Sequence, residues 1–272
     1  MFHTRRYIEI ARYFLILVAA GIALLPIFWM VTLSFKPILE WNVGSGIFTW
    51  LPETPTISNY LYLFFRESSA AHAIFASLVT TTLGTLMALI IGTSAAYAVS
   101  RFKFFSAIGI AALALRLMLP MVLIIPIMVM WTFLDFIDTW YGLSLVYGLL
   151  HLPFSYWLMK TFFDEVPLEI EEAAMVEGAS HSRTFIKVTL PMVRGALGTS
   201  ALFIFILCWS DYLVALILTT HKWTTIPVYL SGITTYGPKA AMGVIATVPP
   251  IILGLLIQKD LVRGITFGAL KQ

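Results

Sequence analysis

Two groups of residues in this chain could do chemistry, and neither is an enzyme's set. The first is an acidic run, Glu169, Glu171, Glu172 and Glu177, followed by Arg183 and Lys187 in the stretch Pro167 to Pro191. Carboxylates crowded onto one short helix offer charge to a basic-rimmed partner. The second is a set of polar groups inside apolar sequence: Arg116 in A-L-R-L-M-L-P, and Asp211 between Trp209 and Tyr212. An ionised side chain in hydrocarbon costs at least ~2.5–3.5 kcal/mol, so Arg116 must face a cavity, helix-end carbonyls or another charge. A structural pair and a polar path are both open. Asp211 is the obvious opposite charge, unless it sits in water at the membrane surface. Trp209 and Tyr212 could stack on a sugar ring or belong to an interfacial aromatic belt. His151 reads as a packed residue.

Chemistry that the chain lacks is equally informative. It has no G-x-x-x-x-G-K-[ST] loop to cradle ATP phosphates, and no H-E-x-x-H. Paired carboxylates and a Ser/His set are also missing at membrane depth, so no catalytic residues and no metal site are expected. Its single cysteine, Cys208, excludes an intrachain disulfide and reads as a small apolar residue. The formal net charge of +3 calls for no nucleic-acid partner.

These groups must be held by helices in a bilayer. The 272 residues are 60% hydrophobic and 11% charged, against roughly 25% charged in soluble domains. Six membrane-length segments are expected, at about 13–35, 72–99, 104–133, 140–163, 196–218 and 240–258. No strand pattern suits a membrane barrel, which leaves α-helices. The first apolar run is too long for a cleaved leader and reads as an uncleaved span. With Arg116 set aside, Lys and Arg divide twelve against four. Arg5, Arg6, Arg12, Arg101, Lys103, Lys160, Arg183, Lys187, Arg194, Lys259, Arg263 and Lys271 fall on one side. Lys36, Arg66, Lys222 and Lys239 fall on the other. The basic side is cytoplasmic, so both termini and residues 167–191 are expected there. Small residues in the second and fifth segments (Gly84, Gly92, Gly195, Gly198 and neighbouring Thr and Ser) allow close helix approach, within the chain or to a second subunit. Pro120, Pro126, Pro153, Pro249 and Pro250 are expected to disturb their helices.

The 167–191 stretch has its own grammar. Pro167 suits a helix start, and acidic residues follow in the first turns, where they complement the helix dipole. Leu168, Glu172 and Met175 are expected to share one face, and Ala173 and Ala174 make a thin surface for close approach. Gly178 permits a sharp reversal. A second short helix, roughly His181 to Val188, is expected to end at Pro191. An amphipathic loop on lipid headgroups is one reading, but its acidic front argues for a protein partner instead.

Glu172-Ala173-Ala174, then three residues, Gly178, nine residues, Val188, one residue, Leu190-Pro191 resembles the EAA loop of ABC-importer permease subunits. Val188 stands where that pattern usually has Ile. Further segments resemble the carbohydrate-uptake branch, in its maltose-transporter G-type form. They are Pro26–Trp29 through Ser34–Pro37, Thr56–Tyr60, Ala95–Phe102 and Gly264–Lys271. The resemblance implies an all-α, six-helix type I importer fold and a permease subunit forming half of a translocation path for a sugar or sugar derivative. It implies as partners a second homologous permease, two cytoplasmic ATPase subunits that carry ATP and Mg, and an extracytoplasmic solute-binding protein. The setting would be a bacterial or archaeal plasma membrane. Glu172 would pair with a basic residue of the ATPase, Gly178 would be the turn of the coupling helix, and the C-terminal tail would lie near the ATPase dimer interface. Glu169, Glu171, Ala173, Ala174, Leu190 and Pro191 complete the expected coupling surface. A secondary, ion-coupled transporter is the alternative, which one membrane Asp and six helices fit poorly.

Overall fold

The computed structural model describes residues 2–37, 40, 50–66, 68–102 and 120–269. Regular structure among them is entirely helical. In chain order the helices are α1 (Phe2–Ser34), α2 (Ser58–Leu61), α3 (Ser68–Phe102), α4 (Pro120–Phe133), α5 (Trp140–Glu165), α6 (Leu168–Val176) and α7 (His181–Thr184). They continue with α8 (Leu190–Met192), α9 (Arg194–Trp209), α10 (Leu213–Leu218), α11 (Ile226–Gly232) and α12 (Tyr236–Ala269). Wider, π-type turns occupy Tyr62–Arg66 and Phe185–Thr189. The chain divides into one unit of residues 1–71 and 229–248 and another of 72–228 and 249–272.

Three helices are long and apolar enough to cross a membrane, over Glu9–Ser34, Ser69–Phe102 and Tyr236–Gln258. His181–Met192 and Arg194–Trp209, bent by 78°, make a fourth if each pair is one span. Helix α5 is 26 residues long, or ~39 Å at 1.5 Å per residue. Its Gly, Ser, Tyr and His content dilutes its hydropathy. Those polar positions lie against other helices: Gly142, Ser144, Tyr147, Gly148, Ser155 and Tyr156 are all buried.

Two expectations about breaks are corrected. Pro126, Pro153, Pro249 and Pro250 lie inside helices that continue through them. Each proline removes one backbone donor, and the turns on either side remain bonded. The real interruption falls where no proline stands. The expected segment 196–218 is two helices, α9 and α10, with Ser210–Tyr212 between them. Asp211 Oδ1 accepts from Val214 N at 2.9 Å and Ala215 N at 3.4 Å, which caps the start of α10.

In the first unit, residues 9–28 of α1 are exposed on this chain. Ile10, Phe14, Leu17 and Leu24 stand out with no protein cover, a surface suited to lipid or to another chain. The end of α1 is tied down by Asn59, whose Nδ2 donates to Ser34 O (2.8 Å) and Lys36 O (2.9 Å). Tyr60 Oη lies 2.7 Å from Ser34 Oγ, and Gly237 leaves room for the Asn59 amide. The segment Thr56–Tyr60 is therefore a clamp on the last carbonyls of α1. Lys36 is fully buried, its ammonium 5.5 Å from the centre of the Trp29 ring.

In the second unit, α3 presents Ala76, Thr80, Gly84, Ala88, Gly92 and Ala96, every fourth residue, on one buried stripe. Gly84 faces Tyr147 and Gly92 faces Ser155, eight residues on in each helix, so α3 and α5 run side by side in the same direction. The turn between α4 and α5 has Asp135 and Asp138 at φ 55°. Asp138 gathers the segment after α10: its carboxylate accepts from Thr220 Oγ1 and from the backbone N–H of His221, Lys222 and Trp223, at 2.8–3.0 Å. Burial alone would raise this carboxyl, but the four donors hold it well below the usual aspartate range. Asp138→Ala should cost about 1–3 kcal/mol, since several N–H groups lose a charged acceptor together. A lowered melting temperature of the detergent-solubilised protein, partly restored by Asp138→Asn, would register it.

Candidate functional site: the 167–191 loop and its clasp

The loop folds as its sequence directs at the turn. Helix α6 ends in a pair of bonds, Gly178 N to Met175 O and Ala179 N to Ala174 O, both 3.0 Å, with Gly178 at φ 91°. This is a Schellman closure, which needs a left-handed residue just past the helix. A Cβ on Gly178 would meet nothing within 4 Å, so the glycine answers a backbone need only. Gly178→Ala should therefore destabilise the turn by about 1–2 kcal/mol without any steric clash. Faster amide exchange confined to residues 174–181 is the expected reading, with Gly178→Asn milder.

Beyond the turn, Ser180 caps α7 by accepting from Arg183 N. The second helix differs from the expected His181–Val188. Four α-helical residues give way to the wider turn Phe185–Thr189, and Pro191 lies within α8 rather than ending the helix. A proline near a helix start costs little, because its N–H position has no partner to lose. The bend falls at Val193, φ −97° and ψ 15°.

Helix α6 has two chemically different faces. Glu169, Glu172, Ala173 and Val176 follow i, i+3, i+4, i+7 spacing and are all exposed, Val176 at 89%. Glu171, Ala174 and Met175 point the other way. Glu171 departs from the expected coupling surface: it is 3% exposed and bound inside the chain. Arg101 Nη2 stands 2.7 Å from its Oε1, Arg101 Nε donates to the same oxygen at 2.9 Å, and Tyr97 Oη donates to Oε2 at 2.9 Å. Arg101 also reaches Val166 O (3.3 Å) and Ser100 Oγ (3.2 Å), and Ser100 Oγ donates to Asp164 Oδ1 at 2.6 Å. The Arg101 guanidinium lies 5.9 Å from the Tyr97 ring centre, and Tyr97 packs on Phe163 and Phe185. A buried cluster that includes Ala96, Met159, Phe163 and Val193 supports them. Of the expected face Leu168, Glu172 and Met175, only Met175 differs in exposure. Leu168 and Glu172 are exposed, whereas Met175 is half-buried on the Glu171 side.

Removing one partner from such a buried pair costs about 3–5 kcal/mol, because the other charge stays buried and unpaired. Burial alone would raise the Glu171 carboxyl. Hydrogen bonds from Arg101 and Tyr97 outweigh that effect and hold it below its ordinary value. A depressed carboxyl stabilises fully above its unfolded pKa and loses that contribution as pH falls through the folded one. The melting-temperature gap between the wild type and Glu171→Gln should be flat from pH 5 to 8. It should close only below about pH 4.3.

Tyr97 and Arg101 were not among the sequence-derived site residues. The available signal was an arginine in the last turn of an apolar helix, in Ala95–Phe102, with no acidic neighbour in its own segment. Of the remaining coupling residues, Ala173 and Pro191 are exposed, and Ala174 and Leu190 are half-buried. Of the expected path residues, Arg116 lies outside the described residues. Trp209 is buried and stacked on Phe205, ring centres 5.5 Å apart at 16°. Asp211 is occupied in capping α10, and Tyr212 is exposed beside it. No cluster of three or more metal-ligating side chains occurs among the described residues.

The family model for the binding-protein-dependent transport system inner membrane component matches residues 88–267, which contain the whole loop and its clasp. The chain belongs to this family. It is 35% identical over 261 residues to the trehalose transport system permease protein SugB of Mycobacterium tuberculosis, covering 92% of this chain and 93% of that protein. It is 33% identical over 269 residues to the trehalose/maltose transport system permease protein MalG of Thermococcus litoralis, covering 93% of each. Its fold matches a chain from a bacterial ABC transporter involved in the import of the acidic polysaccharide alginate. The TM-score there is 0.76 at 23% identity, over 94% of this chain and 97% of that one. As an inner membrane component of this family, the chain is a non-catalytic permease subunit, and ATP hydrolysis belongs to a separate subunit.

Proposed function

We propose that this chain is one half of the translocation path of an ATP-driven, binding-protein-dependent importer for a sugar or sugar derivative. In this reading it crosses the membrane six times with both termini in the cytoplasm. A second homologous permease completes the path, two ATPase subunits dock from the cytoplasm, and an extracytoplasmic binding protein delivers the solute. The observation that carries the reading is the two-faced helix α6. It offers Glu169, Glu172, Ala173 and Val176 outward and is fastened inward through Glu171. An exposed acidic and apolar stripe beside a small residue suits a basic-rimmed cleft on a partner. Loop 167–191 is then cytoplasmic, and closure of the ATPases on ATP biases the path between inward-facing and outward-facing arrangements. The sugar class is supported by the relatives, which are permeases of trehalose and trehalose/maltose transport systems. Trp209 and Tyr212 remain candidate contacts on the path with Arg116 and Asp211.

The test is reconstitution of the complex, purified through a tag on this chain, into liposomes with trehalose and maltose as probes. Uptake is expected only with enclosed ATP and added binding protein. Uptake driven by a proton or sodium gradient without ATP would favour the secondary transporter.

A further inference from the structure

We propose that the Arg101–Glu171 pair is the joint that passes movement of α6 to α3, so that consecutive glutamates divide the work: Glu172 meets the ATPase and Glu171 pulls the membrane helix. The proposal rests on the importer reading. An outward contact alone can press α6, but a cycle needs α6 to drag its own chain in both directions. Among the described residues, the hydrogen bonds that tie an α6 side chain to the rest of the chain are made by Glu171. Its partners Tyr97 and Arg101 both sit on α3. Arg101 also holds Val166 O, just ahead of α6, so both the helix and its lead-in are attached to one side chain.

The chemistry suits transmission better than apolar packing would. Ala174 and Met175, the other inward residues, can slide over a neighbour at little cost. A guanidinium and a carboxylate joined through two N–H groups, with a phenol on the second oxygen, have one geometry. Apolar pairs of similar volume often hold a fold as well as a buried ion pair does, so what Arg101 and Glu171 add here is a fixed geometry. The clasp also sits at the very end of a 35-residue helix, where a small displacement acts on the whole span. Arg101 and Glu171 are positioning residues in this account; neither touches the solute.

The experiment uses the tagged, full complex with Glu171→Gln, which keeps side-chain shape while removing the charge, and, separately, Arg101→Gln, which removes the guanidinium and keeps a shorter polar side chain. The ATPase subunit is expected to co-purify with both variants as with the wild type. Stimulation of ATP hydrolysis by the binding protein should fall about tenfold. A second measurement needs no change in the clasp. Spin labels at Ile170→Cys, exposed on α6 but outside the docking face, and at Phe102→Cys, on a Cys208→Ser background, should report one narrow distance that is the same without nucleotide and with ATP plus vanadate. Full stimulation in both variants would overturn the proposal, as would loss of the ATPase subunit, which would make the pair a support for the docking face. A wild-type spin-label distance that shifts by several ångströms between the two states would overturn it even if both variants misfold. Failure of the importer reading looks different: the wild-type chain would then bring down no ATPase at all.

Discussion

Glu172→Lys is expected to abolish ATP-dependent uptake while leaving the chain folded. Glu172 is exposed on α6 and makes no ion pair within the described chain, so reversing its charge costs little internally. In the complex, the same lysine would face the basic group that the glutamate is proposed to meet. Disrupting a buried, hydrogen-bonded charge at an interface costs about 2–5 kcal/mol, or roughly 30-fold to several thousand-fold in affinity. The melting temperature of the isolated chain should stay within a degree or two of the wild type, and the ATPase subunit should be lost from the purified complex. Glu169→Lys, one turn earlier on the same face, should weaken docking less. Glu171→Lys should instead damage the chain itself, because it places a second cation against Arg101. That contrast between adjacent positions separates a docking face from a general need for acidity.

Gly92→Val should separate helices that now lie in contact. A Cβ at Gly92 would stand 2.6 Å from Ser155 Cβ and 3.0 Å from Tyr156 N. The second contact is backbone, so no rotamer change relieves it and α5 itself must move. Overpacking of this kind costs about 1–3 kcal/mol, and more where two helices are forced apart. Gly84→Val should act similarly against Tyr147 Cβ at 2.6 Å, whereas Gly21→Val, with nothing within 4 Å, should be neutral. Thermal unfolding in detergent reads all three. Because Gly92 lies within three turns of Arg101, a displaced α5 should also disturb the clasp, and coupling should fall along with stability.

The contrast between what was readable and what was not follows physical lines. Gly178 was legible because a left-handed turn has few alternatives, and its role followed from type and spacing alone. The small residues of α3 were legible as a close-approach surface, though not which neighbour they meet: packing within the chain and a second subunit were both open until Gly84 and Gly92 met α5. Which glutamate faces outward was not. Glu171 and Glu172 are neighbours with similar local surroundings, and only Arg101, 70 residues earlier, makes Glu171 the inward one. The break in 196–218 was hidden because Ser210 and Asp211 are a brief polar interruption between long apolar runs, with no proline or glycine beside them. Asp211 reads as the opposite charge for Arg116 or as a solvated group at the surface, and neither reading includes the cap that its Oδ1 places on the first N–H groups of α10. The prolines misled in the opposite sense: a proline forecasts a lost hydrogen bond and not the loss of the helix around it.

The central claim is that this chain works as a permease driven from outside through its 167–191 loop. The most direct measurement is to purify the tagged chain from its native membrane in mild detergent and identify by mass spectrometry what accompanies it. A second permease-type chain and an ATPase subunit carrying a phosphate-binding loop are the predicted companions, with the ATPase lost from Glu172→Lys. A chain that purifies alone, or an ATPase retained undiminished by Glu172→Lys, would contradict the account.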